Sequence, residues 1–419
     1  MSFLKRSLQL SAIALVLFAI NLPNAQAERR HSLAENHLIE DKDDVFAFPQ
    51  LAVDYANLAS FEYGLGYQAG NGMFIFGSED LAFGVTAHRG DTFNNNQLFP
   101  YSLAPGLALN PPSTPLSAVF TTGGADPQPI APPGTVLDVF VGADLGSGKA
   151  GGRIAFGHGA TFEQADAADG PTGTARTYVL LQGGYSLVGD LSLDIAGRVG
   201  IDLGTTQSNG DTALNGNAIN VGIGARGYYE MAENVRLGFL PDTEFTTLGF
   251  TDFGADLDAD DDDVTTRGNT FVIQGGVGPE YTVDENTTIA GYGVLGFGLQ
   301  QADPDVDETT GGDVVTGTQF VLPGLHLAAD IELLEWLYFR SGIQYSWAIN
   351  SRSENDQENE EIDTFGERGA RGANEAPVGG AFASPGGFGW RAGLGFKVDR
   401  FSFDGSFTDG FVLNGPNFI

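Results

Sequence analysis

Gly189 to Leu203 reads GDLSLDIAGRVGIDL. Leu191, Leu193, Ile195, Val199, Ile201 and Leu203 fall on odd positions, Ser192, Asp194, Arg198 and Asp202 on even ones. A period of two sorts apolar side chains to one face and charged ones to the other. Strands of soluble sandwiches alternate in the same way but run about 5 to 6 residues, whereas a tilted membrane-crossing strand needs about 9 to 11. The length predicts a transmembrane strand, its apolar side toward lipid and its charged side toward a barrel interior.

Outward from this stretch the unit repeats in pairs: Val136–Leu145 with Gly148–Gly159, Thr174–Leu187 with Asp190–Leu203, Asn217–Glu230 with Val235–Phe245, Thr270–Thr282 with Thr287–Gln300, and Thr318–Glu332 with Glu335–Ile349. Shorter strands precede them within Asn57–Tyr67, Met73–Gly77 and Leu81–Arg89. Within a pair the connector is tight, as at Gly146-Ser147 or Asp284-Glu285. Between pairs it is long, as at Ala160–Gly173, Gly204–Gly216, Thr246–Asn269 and Gln301–Gly317. Such segregation fits short periplasmic turns and long outer loops. The fold expected is an all-β, antiparallel up-and-down transmembrane barrel of about 14 strands, within a range of 14 to 16. Tyr228, Tyr229, Trp336, Phe339, Trp347, Phe388 and Trp390 sit near strand ends, where interfacial girdles lie. Phe401, Phe403 and Phe407 begin a last strand that leaves Ile419 on the wrong side, and the barrel at 57–419 reads either as complete or as lacking a final strand.

Residues 1–27 form a signal peptide: Lys5 and Arg6, an apolar run from Leu8 to Ile20, then Ala25-Gln26-Ala27 for cleavage. Its removal takes two basic residues and moves the net charge from −34 to −36. So acidic a chain does not meet nucleic acid through a basic surface. The absence of cysteine excludes disulfides, thiolate metal sites and a lipid-anchor cysteine. Residues 28–56 are a leader, polar up to Asp44 and apolar from Val45 to Ala56. It reads either as a periplasmic extension or as a plug in the interior carrying Phe46, Phe48, Pro49 and Tyr55. Asp91 to Gly134, rich in proline yet partly apolar, is expected to be a lid or inward-folded loop.

Parity places Asp138, Asp144, Arg153, Asp194, Arg198, Asp202, Arg226, Arg236, Asp330, Arg340 and Arg391 on the interior face, with Glu332, Lys397 and Asp404. Two roles fit them: ion pairs that stiffen the interior, or a selectivity lining for a diffusing solute. His88 and His326 share the inward parity, and His158 lies at a strand end. None of the five histidines has a metal-type spacing, so neither a cofactor nor catalysis is expected. The loop Asp252–Asp263 repeats carboxylates, and Asp256, Asp258 and Asp260 match the opening of a calcium loop. Asp261 and Arg267 depart from it at positions six and twelve, leaving weak divalent binding of calcium or magnesium. Asp303–Asp313 has the same character.

Signal peptide, apolar leader with a proline (Phe46-Ala47-Phe48-Pro49-Gln50), paired hairpins and a near-terminal Phe418 together resemble Gram-negative outer-membrane β-barrels. In size and strand number the chain resembles the long-chain fatty acid transporter family, and the resemblance is one of architecture. It implies a 14-stranded barrel with an N-terminal hatch, and as partners outer-membrane lipid, lipopolysaccharide, periplasmic chaperones and the barrel-assembly machinery. The function expected is passive uptake of a small, preferably hydrophobic solute across the outer membrane, without enzymatic activity. A general diffusion porin and a structural barrel with calcium-binding outer loops are the rivals.

Overall fold

Leu191–Ser208 forms a strand of 18 residues, and its two faces are those the alternation predicts. Val199 and Ile201 on one side are 41% and 42% exposed, whereas Ala196, Arg198 and Asp202 on the other are buried. The computed structural model describes residues 29–34, 36–63, 70–89, 135–163, 172–189, 191–208, 211–252, 264–284, 286–303, 315–346, 348–354, 357–364, 387–398 and 401–408. The signal peptide, the Asp91–Gly134 connection, the acidic loop residues Asp256, Asp258 and Asp260, and the chain end lie outside the described residues.

In chain order the strands are β1 (Leu58–Tyr63), β2 (Gly70–Gly77), β3 (Leu81–Arg89), β4 (Thr135–Asp144), β5 (Gly148–Glu163), β6 (Thr172–Leu187), β7 (Leu191–Ser208), β8 (Asp211–Ala232) and β9 (Val235–Asp252). They continue with β10 (Val264–Asp284), β11 (Thr287–Asp303), β12 (Val315–Leu334), β13 (Leu337–Ser346), β14 (Ala348–Glu354), β15 (Gln357–Thr364), β16 (Gly387–Val398) and β17 (Phe401–Thr408). From β1 to β13 each strand pairs antiparallel with the next. β14 prolongs β13 alongside β12, and β15 pairs with β14, while β16 pairs with β13 and then with β17. The wall is thus one continuous antiparallel up-and-down sheet with the strand arrangement of an outer-membrane β-barrel. β13 with β14, and β15 with β16, each fill one position, which keeps the count within the expected range.

The outward face carries the apolar band, including Ile223, Val277, Leu295 and Leu327, all more than half exposed. On β7 the band runs from Leu191 to Leu203, about 40 Å along a strand. A tilt of about 40° brings this to about 30 Å of height, the thickness of a bilayer core.

Two expectations need correction. β7 continues to Ser208 and β8 starts at Asp211 directly opposite it, so the long connection expected over Gly204–Gly216 is a tight hairpin. β5 and β6 likewise pair out to Glu163 and Thr172. Lipid contact ends near Leu203, but the backbone ladder needs no apolar side chains, and Thr205, Thr206 and Thr212 suit a strand. Tyr228 faces inward and is buried, so it belongs to no girdle, whereas its neighbour Tyr229 points out at 55% exposure.

Candidate functional site

The inner face of the wall is occupied at the short-turn end by the leader. It starts with one helical turn, α1 (Arg29–Ser32), and continues through two 3₁₀ turns, Lys42–Phe46 and Pro49–Tyr55. Asp41 caps the first of these: its side chain accepts from the Asp43 amide, and the Asp44 carboxylate accepts from the Asp41 amide at 2.9 Å. Pro49 opens the second, where its fixed φ and missing N–H cost nothing. Asn57, at a φ of 67°, then swings the chain into β1, a conformation asparagine tolerates well.

Along its length the leader crosses the inner face from β12 back to the β4–β5 turn. Arg29 pairs with Asp330 on β12 at 2.7 Å, the Asn36 side chain donates to the Ala290 carbonyl on β11, and Tyr228 on β8 donates to the Leu38 carbonyl at 2.7 Å. Arg226, also on β8, reaches Asp44 at 2.6 Å. Arg153 on β5 donates to the Phe46 carbonyl, and Gln182 on β6 to that of Ala47. Lys149, beside the β4–β5 turn, closes the series on Asp54. Phe46, Phe48, Pro49 and every other residue from Val45 to Val53 are buried, and Tyr55 is partly so. Leu33, Leu38 and Phe48 share a cluster with Tyr228, Leu240, Val272 and Tyr292. Val45, Phe46 and Val53 share another with Met73, Ile75 and Phe140.

Magnitudes divide the labour. Burying Phe46, Phe48, Leu38 and Leu51 is worth about 1.5–3 kcal/mol each. The attraction within a buried ion pair is largely offset by the desolvation of its two charges. Apolar contact therefore supplies the adhesion, and the ion pairs fix the position. Arg153 also lies over the rings of Phe46 and Phe140, and Arg226 over that of Phe48, so these cations serve both.

Glycine makes the close approach achievable. A β-carbon on Gly151 would overlap the Gln50 backbone, and one on Gly342 the Leu33 carbonyl. Burial alone would raise the Asp44 carboxyl, but Arg226 and Arg30 outweigh it and hold Asp44 below the usual carboxylate range. Asp41 is lowered in the same way, Arg29 outweighing burial.

The charged residues singled out by parity form pairs. Asp138 with Arg153, Asp194 with Arg226, and Asp330 with Arg340 each join neighbouring strands; Arg340 also pairs with Asp404. Arg236 takes Glu280 on β10 and Glu40 of the leader. Farther from the short turns, Arg198 crosses β8 at Gly222 to reach Asp242 at 3.2 Å and Glu244 at 2.7 Å, and Asp202 pairs with Arg176. Arg391 is half-buried, opposite Gly342 in register. Asp144 departs from its expected place: it is exposed and accepts from the Gly146 amide at 2.7 Å, because the strand has already reached its turn. Arg176, Asp242, Glu244 and Glu280 were missed, although each shares the inward parity of its strand. His326 is buried and stacked on Tyr292, and His158 is exposed with Nδ1 2.9 Å from the Thr177 hydroxyl.

No family model matches the chain, and no curated protein does. Among solved structures, the toluene transporter TodX of Pseudomonas putida is similar at 9% identity and a TM-score of 0.32, over 65% of this chain and 80% of its own. The ferric yersiniabactin uptake receptor FyuA of Yersinia pestis is similar at 9% and 0.38, over 80% of this chain and 64% of its own. The β domain of the Bordetella autotransporter BrkA is similar at 14% and 0.26, over 62% and 98%.

Proposed function

We propose that the protein is an outer-membrane channel of a Gram-negative bacterium, closed at its periplasmic end by its own residues 28–56, and that a small solute passes it passively when this leader shifts. The observation that carries this reading is the unbroken burial from Val45 to Val53. A segment lying along the wall of an open channel would leave one side wet, at the 3₁₀ period of three residues. Here no position is left wet. The leader's apolar side chains favour an apolar or amphipathic solute over a small ion. Beyond the leader such a solute meets the paired charges of Arg198, Asp242 and Glu244 on the inner face.

Single-channel recording in planar bilayers tests this. The mature chain is expected to be silent or nearly so, and the chain lacking residues 28–56 to conduct. Steady conductance from the intact chain would favour a general diffusion porin. Silence from both would favour a filled, structural barrel.

A further inference from the structure

The contacts within the leader, within the wall around it and between the two form three sets. One is internal. Arg29 donates to the Glu40 carbonyl at 2.6 Å and to the Asp41 carboxylate at 2.8 Å, Arg30 pairs with Asp44 and donates to His37 Nδ1 at 2.9 Å, and the Asn36 side chain accepts from the Leu38 amide at 3.0 Å. With the capping box at Asp41 and Asp44, these bonds tie residues 29–44 to themselves.

Another set belongs to the wall alone. Arg153, Arg226, Arg236 and Arg340 each have a carboxylate on another wall strand, at 2.7 Å for Asp138, 3.1 Å for Asp194, 2.8 Å for Glu280 and 3.1 Å for Asp330. Three of these pairs, Arg226 with Asp194, Arg236 with Glu280 and Arg340 with Asp330, stand directly opposite each other in register. Withdrawing the leader therefore leaves each arginine beside a counter-charge, and avoids the cost of about 3–5 kcal/mol that a stranded buried charge would carry.

The third set joins leader to wall, and it is built for insertion. The wall offers sockets without side chains at Gly151, Gly238 and Gly342, which receive Gln50, Leu38 and Leu33. Both ends of the leader lie at the short-turn end: Arg29 at Asp330, near the β12–β13 turn, and Asp54 at Lys149, near the β4–β5 turn. It can enter and leave by that mouth without threading the barrel, and Ala56-Asn57 is its link to β1.

We infer that the inner wall at the short-turn end is a peptide-binding site, and that residues 29–55 are its reversible ligand whether or not they remain joined to β1. This rests on the reading of the leader as a movable occupant and adds that the wall keeps its shape when the occupant leaves.

The test uses the full chain, folded first, with a protease site inserted between Ala56 and Asn57 and cut after folding. A fluorescently labelled peptide of residues 28–56 is then added, and anisotropy reads its uptake. The expected result is exchange with the cut leader, displacement by unlabelled peptide, and at least tenfold weaker competition by a peptide carrying Asp44→Ala. Two results overturn the inference: a cut leader that stays while no labelled peptide is taken up, or one that departs and is not replaced. Conductance of the same sample reads the channel proposal separately. Uptake with no change in conductance retains the site and sinks the channel; conductance rising on cleavage with no uptake does the reverse.

Discussion

The Arg226 guanidinium lies 2.6 Å from the leader's Asp44 and 3.1 Å from Asp194 on the adjacent β7. One cation therefore serves the wall and its occupant, and the two carboxylates have different jobs. Asp44→Ala strips Arg226 and Arg30 of a shared partner but leaves Arg226 on Asp194. Breaking a buried pair costs about 3–5 kcal/mol. Asp44→Ala should therefore raise the frequency of open events in the intact chain by about a hundredfold or more. Heat-modifiability on gels, a readout of the wall, should hardly change. Loss of the folded barrel in Asp44→Ala would mean that the wall depends on its occupant.

Acid should act on the leader through the same carboxylates. Asp41 and Asp44 lie below the ordinary carboxylate range in the folded protein, where Arg29, Arg226 and Arg30 outweigh burial. A depressed folded pKa gives stabilisation that is present above the unfolded value of about 3.9 and is lost as pH falls through the folded values. The leader should stay in place from pH 7 to pH 5 and be released only below the ordinary carboxylate value of about 3.9. A conductance series over this range checks it. A release midpoint near pH 6 would place control elsewhere, on a histidine such as His37.

Gln50 works against retention. Its side chain is fully buried between β5 and β6, and neither Oε1 nor Nε2 has a hydrogen-bond partner among the described residues. A buried unsatisfied amide costs about 1–3 kcal/mol. Gln50→Met keeps the volume and removes that cost, so open events should become about tenfold rarer. More frequent openings would show that a bridging water satisfies the amide.

The wall was largely legible in the sequence, and its occupant only in part: an interior plug carrying Phe46, Phe48, Pro49 and Tyr55 was one of two readings of residues 28–56. Strand period two needs only neighbours in the chain, so Arg198 and Asp202 could be placed inside before any partner was known. The partners themselves, such as Asp242 for Arg198, come from β9 across β8, and no local pattern announces a contact over 44 residues. The strand tips escaped for another reason. Apolar alternation reports lipid contact and stops at Leu203, while the hydrogen-bond ladder runs on to Ser208. For the leader, apolar character argued for a docking surface without telling which. That choice is made by Gly151, Gly238 and Gly342, which in sequence look like the many other glycines of the chain.

Those glycines supply a last and discriminating prediction. A β-carbon on Gly342 would overlap the Leu33 backbone, which cannot rotate away as a side-chain end would, whereas one on Gly197 meets nothing closer than the Gly222 carbonyl oxygen at 3.9 Å. Both positions are in strands, where alanine costs the backbone no more than glycine. Gly342→Ala should therefore displace α1 and the chain after it, giving an intact chain that conducts and whose leader a protease cuts in the folded barrel. Gly197→Ala should behave as the unsubstituted protein does. If both variants stayed silent and resisted cleavage, the leader would have room to shift inside the wall, and the fit at Leu33 would not be what holds it.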